Sequence, residues 1–236
     1  MKHPTVLVFV ELPDPEFPTA GFLNNLAYPD ARLVGFYHLD EDESAQEARA
    51  EYEDAFTAEL QKQAERFEQR GVRTEFDLEF DSDPVETRQR IAESDDVDAV
   101  LTPGGVNTLG KVLIASRHTR NAEERMDNLL NIIDRDALIS VGLIHIADPD
   151  DPEGETEGER VLNEMASILT ENGIPSVQIN REVRTERDVA FELRQAARNH
   201  DLLVMGETEQ DAGDEIFGPV GDYIVDELDI PVLTVR

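Results

Sequence analysis

The sequence predicts an α/β protein with two doubly wound, open parallel sheets in tandem, the first of them incomplete. Short apolar runs such as residues 6–10 and 202–205 are typical of parallel strands that are covered on both faces. Segments with apolar residues at helical spacing alternate with these runs, as they do in βαβ units. The order of elements starts again in the second half of the chain, which indicates an internal duplication. The positions that match between the copies are Val6-Leu7-Val8 with Val112-Leu113-Ile114, His38 with His145, Gly71 with Gly173, and Asp98 with Asp201.

The first copy is predicted to be a reduced domain over residues 1–108. Its strands are residues 6–10, 33–39, 72–80 and 97–101, and its helices are residues 20–27, 44–70 and 83 to about 93. Gly71 directly follows the long helix, where a glycine cap is expected. Asp83-Pro84 is a typical start of a helix. After Gly104 the copy lacks the helix and the final strand that follow Gly206 in the second copy.

The second copy is predicted to be a complete domain over residues 109–236. Its strands are residues 111–115, 137–146, 177–179, 202–205 and 231–235, and its helices are residues 121–133, 157–171, 185–199 and one that begins at Gly218-Pro219. Proline suits the first helical position, because its missing N–H would have no partner there. An alternative assigns residues 111–115 to the first copy as a fifth strand. The helix directly after them favours the start of the second copy.

The composition excludes several kinds of chemistry. The chain has no cysteine, which excludes disulfides, thiolate metal sites and thiol catalysis. The apolar run at residues 6–10 is too short for a signal peptide or a membrane span, so we expect a cytoplasmic protein. With 21 basic against 53 acidic residues the net charge is -32, which argues against nucleic acid and anionic membranes as partners. This acidic composition, with only three lysines, resembles that of proteins from salt-accumulating archaea, where screening makes such self-repulsion tolerable.

The end of the chain carries a recognisable pattern. An apolar strand ends in Met205-Gly206, a loop leads to Gly218-Pro219-Val220 and a helix, and the last strand begins with Pro231-Val232. These residues resemble the universal stress protein family. The resemblance implies a Rossmann-like fold of the adenine nucleotide alpha hydrolase type. Three features depart from the family pattern: Glu209 stands at a glycine position, Pro219 at a Ser/Thr position, and the loop is one residue shorter.

The same resemblance implies where a nucleotide, ATP or AMP with Mg²⁺, would lie. The adenosine side corresponds to the ends of the first two strands of the second copy, and the phosphate side to the loop after Met205. The implied cofactor-binding residues are Ala115, Ser116, Ile146, Met205, Gly206, Gly218, Pro219 and Val220. Arg117 stands where the family often has an aspartate. In the first copy Glu11 is placed to hold a ribose, but the glycine loop is missing.

Electrostatics predicts that this nucleotide site is degenerate. A helix N-terminus favours an anion by about 0.3–1 kcal/mol. One carboxylate about 4 Å from a phosphate opposes binding by about 1 kcal/mol in water and about 4 kcal/mol at an effective dielectric constant near 20. The loop carries several such groups: Glu207, Glu209, Asp211, Asp214 and Glu215. Repulsion therefore exceeds attraction unless Mg²⁺ or salt intervenes.

The resulting expectation is a regulatory module without catalytic or metal-binding residues. One alternative is a true ATP- or AMP-binding stress protein that uses a divalent cation. A second is an adenylyl-transfer or hydrolytic enzyme on the same fold. The apolar strand at residues 232–235 is expected at a sheet edge, where its unpaired backbone groups need a partner. That partner is predicted to be the same strand of a second chain, giving a homodimer, the incomplete edge of the first copy, or an unknown protein.

Overall fold

Two halves of the chain build one mixed α/β structure. The computed structural model describes residues 3–27, 29–40, 42–93, 97–117, 122–206, 208–210, 213–215 and 228–235. The first half contains β1 (Thr5–Leu12), α1 (Ala20–Leu23), β2 (Asp30–His38), α2 (Ala45–Glu68), β3 (Thr74–Asp81), α3 (Pro84–Ala92) and β4 (Ala99–Thr102). The second half contains β5 (Lys111–Ala115), α4 (Ala122–Ile132), β6 (Ser140–Ala147), α5 (Gly154–Glu171), β7 (Ile179–Thr185), α6 (Val189–Ala197), β8 (Leu202–Gly206), β9 (Thr208–Gln210), β10 (Gly213–Glu215) and β11 (Val232–Val235).

The main sheet has nine strands in the order β3-β2-β1-β4-β11-β8-β5-β6-β7. Within each half the neighbouring strands are parallel, whereas β11 is parallel to β8 and antiparallel to β4. The strands of the two halves therefore run in opposite directions. As a result, the carboxyl ends of β1 and β2 lie on one side of the sheet, and those of β5, β6 and β8 lie on the opposite side. The line formed by these strand ends is called the carboxyl edge of each half, as distinct from the edge strands β3 and β7. The predicted α/β fold with open, mostly parallel strands is confirmed, although the two copies share one continuous sheet.

The terminal strand β11 lies inside the sheet, so the prediction of an edge strand is wrong. Leu233 pairs with Leu101 of β4 on one side and with Val204 of β8 on the other. All four residues of β11 are at most 2% exposed. Three partners of this strand are predicted, and the structure shows one of them: β11 pairs with β4, the incomplete edge of the first copy. The predicted homodimer through this strand is corrected, because both backbone edges of β11 are already paired within the chain.

Strand β5, which contains residues 111–115, pairs with β6 and β8 of the second half. Matching residues of the two copies make matching contacts. Asp98 Oδ2 accepts a hydrogen bond of 2.8 Å from Thr5 N at the start of β1. Asp201 Oδ2 accepts one of 2.8 Å from Lys111 N at the start of β5. Gly71 and Gly173 both have positive φ, at 84° and 94°, directly after the long helices α2 and α5.

The region around β7 differs from the prediction. Residues Ser176–Gln178 form a turn of 3-10 helix rather than a strand, and the strand occupies Ile179–Thr185 instead. The next helix begins at Val189, because the Asp188 side chain accepts a hydrogen bond from Phe191 N and caps it there. Strand β7 is an edge strand with exposed charged residues, so it lacks the apolar run that identifies the inner strands.

The apolar core crosses between the halves. One cluster of buried side chains includes Val8 and Leu60 of the first half, Leu129 and Leu162 of the second, and Leu233 of β11. Two smaller clusters lie on the other face of the sheet, under α3 and α6 respectively. None of the helices that the structure describes is long and apolar enough to cross a membrane.

Candidate functional site

Several of the predicted site residues meet at the carboxyl edge of the second half. Ala115 ends β5 and is the direct neighbour of Met205 on β8 and of Ile144 on β6. Ser116 comes next, and its N–H donates to Ile144 O at 3.0 Å. Gly206 ends β8, half-buried. The structure thus brings Ala115, Ser116, Met205 and Gly206 together.

The remaining predicted residues divide into two groups. Ile146 is half-buried near the end of β6 and lies beside Arg184 of β7, one strand further from β8 than Ala115. Gly218, Pro219 and Val220 lie outside the described residues. Arg117, at the position of the family aspartate, is exposed next to Ser116. The adenosine side of the predicted site is therefore described in full, and the phosphate side as far as Gly206.

The sequence patterns do not predict that Arg125 lies at this edge. A Cβ atom added to Gly206 would be 2.7 Å from Arg125 Nη1 and 3.0 Å from Arg125 Cζ. The guanidinium therefore packs directly against the backbone of Gly206, and only glycine allows so close an approach. Arg125 lies in the first turn of α4, the helix that comes after β5. A cation in that turn is the sequence signal that could have indicated it.

Behind the site, His145 fixes the backbone of Ser116. Its Nδ1 lies 2.9 Å from Ser116 O, and because a carbonyl oxygen only accepts, the imidazole Nδ1–H donates. The ring is 7% exposed and packs against α5, where a Cβ atom on Gly158 would be 2.6 Å from His145 Cδ2. His145 thus has a structural contact that holds the end of β5 in place.

A second arginine near the end of β6 is engaged by carboxylates of its own neighbourhood. Arg184 Nε donates to Glu182 Oε1 at 2.8 Å, and Arg184 Nη1 donates to Glu192 Oε2 at 2.9 Å. The hydrogen bond to Glu182 makes the largest contribution in raising the pKa of Arg184. This guanidinium is therefore charged, and it ties β7 to α6.

Acidic residues near the second half's carboxyl edge accept hydrogen bonds from backbone N–H groups of their own turns. In the run at residues 148–155, Asp148 Oδ1 accepts from Asp150 N at 2.8 Å and Asp151 Oδ1 accepts from Glu153 N at 3.0 Å. Across the described part of the chain, no group of three or more histidine, aspartate or glutamate side chains is placed to hold a metal ion. These carboxylates shape the entrance to α5.

The corresponding edge of the first half is built differently. Glu11, near the end of β1, is exposed and lies 3.5 Å from Arg88 Nη2. After β4, Gly104 packs against the backbone of the carboxyl-terminal segment, where an added Cβ would be 2.5 Å from Ile230 C. Gly105 N donates to Asp229 O at 2.7 Å. The segment after β4, where a phosphate loop would stand, therefore contacts the segment that leads into β11.

The strand order and the edge at Ala115 and Gly206 define a doubly wound α/β protein of the Rossmann-like class, with a candidate ligand edge in its second half. Residues 127–236 match the model of the universal stress protein family. This part of the chain is therefore similar to the universal stress protein family.

Solved structures agree with this fold. The chain is similar to a universal stress protein from Archaeoglobus fulgidus DSM 4304, with a TM-score of 0.63 and 15% identity over 98% of this chain and 96% of that one. It is also similar to a functionally unknown protein from Pseudomonas aeruginosa PAO1, with a TM-score of 0.51 and 12% identity over 99% of this chain and 92% of that one. The comparison with curated proteins found no match.

Proposed function

We propose that the protein is a non-catalytic regulatory module of the universal stress protein type whose nucleotide site is degenerate. The observation that supports this is the Arg125 guanidinium on Gly206. In the family pattern a glycine at this strand end allows close approach of a ligand, and here a side chain of the protein makes that approach.

The same arginine favours a second function, true ATP or AMP binding. A guanidinium presents paired N–H donors that match phosphate oxygens, and such charge-assisted hydrogen bonds are among the strongest in proteins. A divalent cation would reduce the repulsion from the acidic loop. In the first function the Arg125 guanidinium occupies the place of the ligand, and in the second it binds the phosphate of the ligand.

Titration calorimetry with ATP and AMP in molar KCl, with and without Mg²⁺, separates these functions. For a degenerate site the unmodified protein binds more weakly than about 100 μM, which is less favourable than about -5.5 kcal/mol. Arg125→Ala then leaves affinity unchanged or improves it. For a true site the unmodified protein binds in the micromolar range, and Arg125→Ala weakens binding by about 1.5–3 kcal/mol, the contribution of a hydrogen bond to a charged group.

Two further variants sharpen this test. Arg160→Ala is the matched control, because Arg160 is exposed on α5 and pairs with Glu157 and Glu164. It should leave binding unchanged. The double variant Glu209→Gly with Pro219→Ser restores two family residues and should improve affinity for a degenerate site. Nucleotide turnover measured in the same samples would contradict the non-catalytic assignment.

We also propose that the protein works in a salt-rich cytoplasm. The net charge of -32 repels itself strongly in dilute buffer, and at molar salt the Debye length falls to about 3 Å. Circular dichroism over a KCl series should show structure gained toward molar salt. Full cooperative unfolding that is unchanged between about 50 mM and molar salt would contradict this adaptation, since screening differs severalfold across that range.

A further inference from the structure

A buried arginine in the first half occupies a position that is a core leucine in the second. Helices α3 and α6 are capped alike: Asp83 Oδ1 accepts from Glu86 N at 2.9 Å, and Asp188 Oδ1 accepts from Phe191 N at 3.0 Å. Five residues after these caps stand Arg88 and Leu193, which are 7% and 5% exposed. Leucine thus fulfils the packing requirement of this position. Burying a guanidinium instead costs several kcal/mol before its interactions are counted, on the order of the penalty for a buried ion.

The surroundings of Arg88 suit an anion. Its guanidinium carbon lies 5.1 Å from the centroid of the Phe9 ring, which stacks on Phe36 at 5.6 Å. This aromatic base holds the planar guanidinium in one orientation. On the solvent side Nη2 lies 3.5 Å from Glu11 Oε1, at the long limit of a hydrogen bond. The Glu11 side chain is 68% exposed, so this carboxylate is free to move outward.

The position in the sheet is also that of a ligand site. Phe9 and Glu11 lie toward the carboxyl end of β1, and α3 begins at the same edge, directly after β3. Open α/β sheets bind ligands outside the carboxyl ends of their strands. Because the two halves run in opposite directions, this edge is opposite the one that carries Gly206 and Arg125. A ligand here is therefore independent of the nucleotide site proposed above.

We propose that Arg88 is the recognition group of an oxyanion site at the carboxyl edge of the first half. Its ligand is a small molecule with a carboxylate or phosphate group, which replaces the Glu11 carboxylate on the forked face of the guanidinium. Phe9 holds the guanidinium in place from below. Glu11 competes for the same donors and sets the threshold concentration for binding.

Binding of inorganic phosphate and of acetate tests this site. The side-chain Nε–Hε signal of Arg88 is followed by NMR while each potassium salt replaces KCl at constant ionic strength. Glu11→Gln removes the competing charge and should tighten binding at least about fivefold, since a carboxylate about 4 Å away opposes an anion by at least about 1 kcal/mol. Arg88→Leu, which copies Leu193, should abolish saturable binding of the anion, read from backbone amide shifts, and leave circular dichroism unchanged. A response to phosphate alone or to acetate alone identifies which oxyanion the site prefers.

Matched variants keep the test decisive. Arg90→Leu removes an exposed arginine of the same helix, which pairs with Glu79 at 3.7 Å, and should change nothing. If Arg88→Leu does not fold, Glu11→Gln in the intact chain decides the matter. The proposal is overturned if neither anion gives a saturable response in the unmodified protein or in Glu11→Gln. It is also overturned if Arg125→Ala, rather than Arg88→Leu, removes the response.

Discussion

The two halves of the molecule share their first four strands and differ in the segment after the fourth strand. In the first half, β4 leads into Gly104 and Gly105, which contact the segment before β11. In the second half, β8 leads into the β9–β10 hairpin and finally into β11. One fifth strand therefore completes both half-sheets. The edge of β4 is not left open, because β11, the last strand of the second half, pairs with it in the antiparallel direction.

The two halves also use different side-chain contacts to attach the helix that follows the third strand. The helix after the third strand is tied back to that strand in both. In the first half, Thr87 Oγ1 donates to Asp81 Oδ2 at 3.1 Å. In the second half, Arg184 Nη1 donates to Glu192 Oε2 at 2.9 Å. Thr87 and Glu192 both stand four residues after the helix cap, so the two halves share the geometry and differ in the partners.

The largest expected effect comes from deleting residues 232–236. Val232, Leu233 and Val235 are at most 2% exposed, and burying each such side chain contributes about 1.5–3 kcal/mol. Their summed loss is comparable with the whole stability of a domain, about 5–15 kcal/mol. The truncated chain should lose cooperative unfolding in urea at molar KCl. The milder variant Leu233→Ala should cost about 2–5 kcal/mol.

A cross-link examines the same strand pairing independently. Val232 and Thr102 are direct antiparallel partners, and the chain contains no cysteine of its own. Oxidation of the double variant Thr102→Cys with Val232→Cys should give a disulfide within one chain. A covalent dimer, or a truncated chain with an unchanged unfolding midpoint, would contradict the placement of β11 between the halves.

The next effect distinguishes two adjacent glycines. A Cβ on Gly104 would lie 2.5 Å from Ile230 C and 2.7 Å from Pro231 N, whereas a Cβ on Gly105 would lie 3.5 Å from Asp229 O. Gly104→Ala should therefore destabilise the protein by about 1–3 kcal/mol, as overpacking typically does. Gly105→Ala should stay within about 0.5 kcal/mol. Equal urea midpoints for the two variants would show that the contact between β4 and the terminal segment is loose.

A smaller effect should depend on pH. Burial by itself raises the pKa of Asp81, but hydrogen bonds from Thr87 Oγ1 and the backbone N–H groups of Ser82 and Asp83 lower it overall. This stabilisation is present above the ordinary aspartate pKa of about 3.9 and is lost as the pH falls through the lower folded value. Thr87→Val should cost about 1–2 kcal/mol near neutral pH, a hydrogen bond to a charged but partly exposed group.

The difference in unfolding free energy between the unmodified protein and Thr87→Val should shrink as the pH falls below the ordinary aspartate pKa and through the lower folded pKa of Asp81, where this carboxyl becomes protonated. Thr170→Val is the control, because Thr170 Oγ1 donates to the backbone oxygen of Ala166 at 2.7 Å and no carboxylate is involved. Its cost should be constant with pH. A constant cost for Thr87→Val as well would show that the Asp81 contact does not contribute.

The sequence predicts those features that depend on neighbouring residues. The apolar runs of β5 and β8 and the glycines after α2 and α5 are local signals, and the repeat of Asp98 at Asp201 is visible by comparison of the copies. The sequence pattern places strand β7 too early, because an edge strand with alternating charges has no apolar run. The place of β11 depends on β4, which is remote in sequence and antiparallel to it, and no local pattern encodes that meeting.

The residues of the candidate site are likewise predictable where they lie in recognisable local patterns, and not where they depend on packing between remote elements. Ala115, Ser116, Met205 and Gly206 are expected from the resemblance to the universal stress protein family, and as residues at the ends of neighbouring parallel strands they lie together. Arg125 comes from the helix after β5, and its contact with Gly206 depends on how that helix packs. Strand patterns therefore could not indicate the guanidinium that lies against the end of β8.

The smallest expected effect concerns Thr234, where the two halves meet on β11. Its neighbours are Val100 of β4 and Met205 of β8, and it is 1% exposed. In the part of the chain that the structure describes, Thr234 Oγ1 has no hydrogen-bond partner. A buried hydroxyl without a partner is destabilising, so Thr234→Val should raise the free energy of unfolding by about 1 kcal/mol. Val235→Thr, which adds a hydroxyl to the other face of the same strand, should lower it by about 1–3 kcal/mol. Urea unfolding at molar KCl measures both. A loss of stability in Thr234→Val would show that the hydroxyl is hydrogen-bonded where the halves join, and that polar contacts as well as apolar packing hold β11 between them.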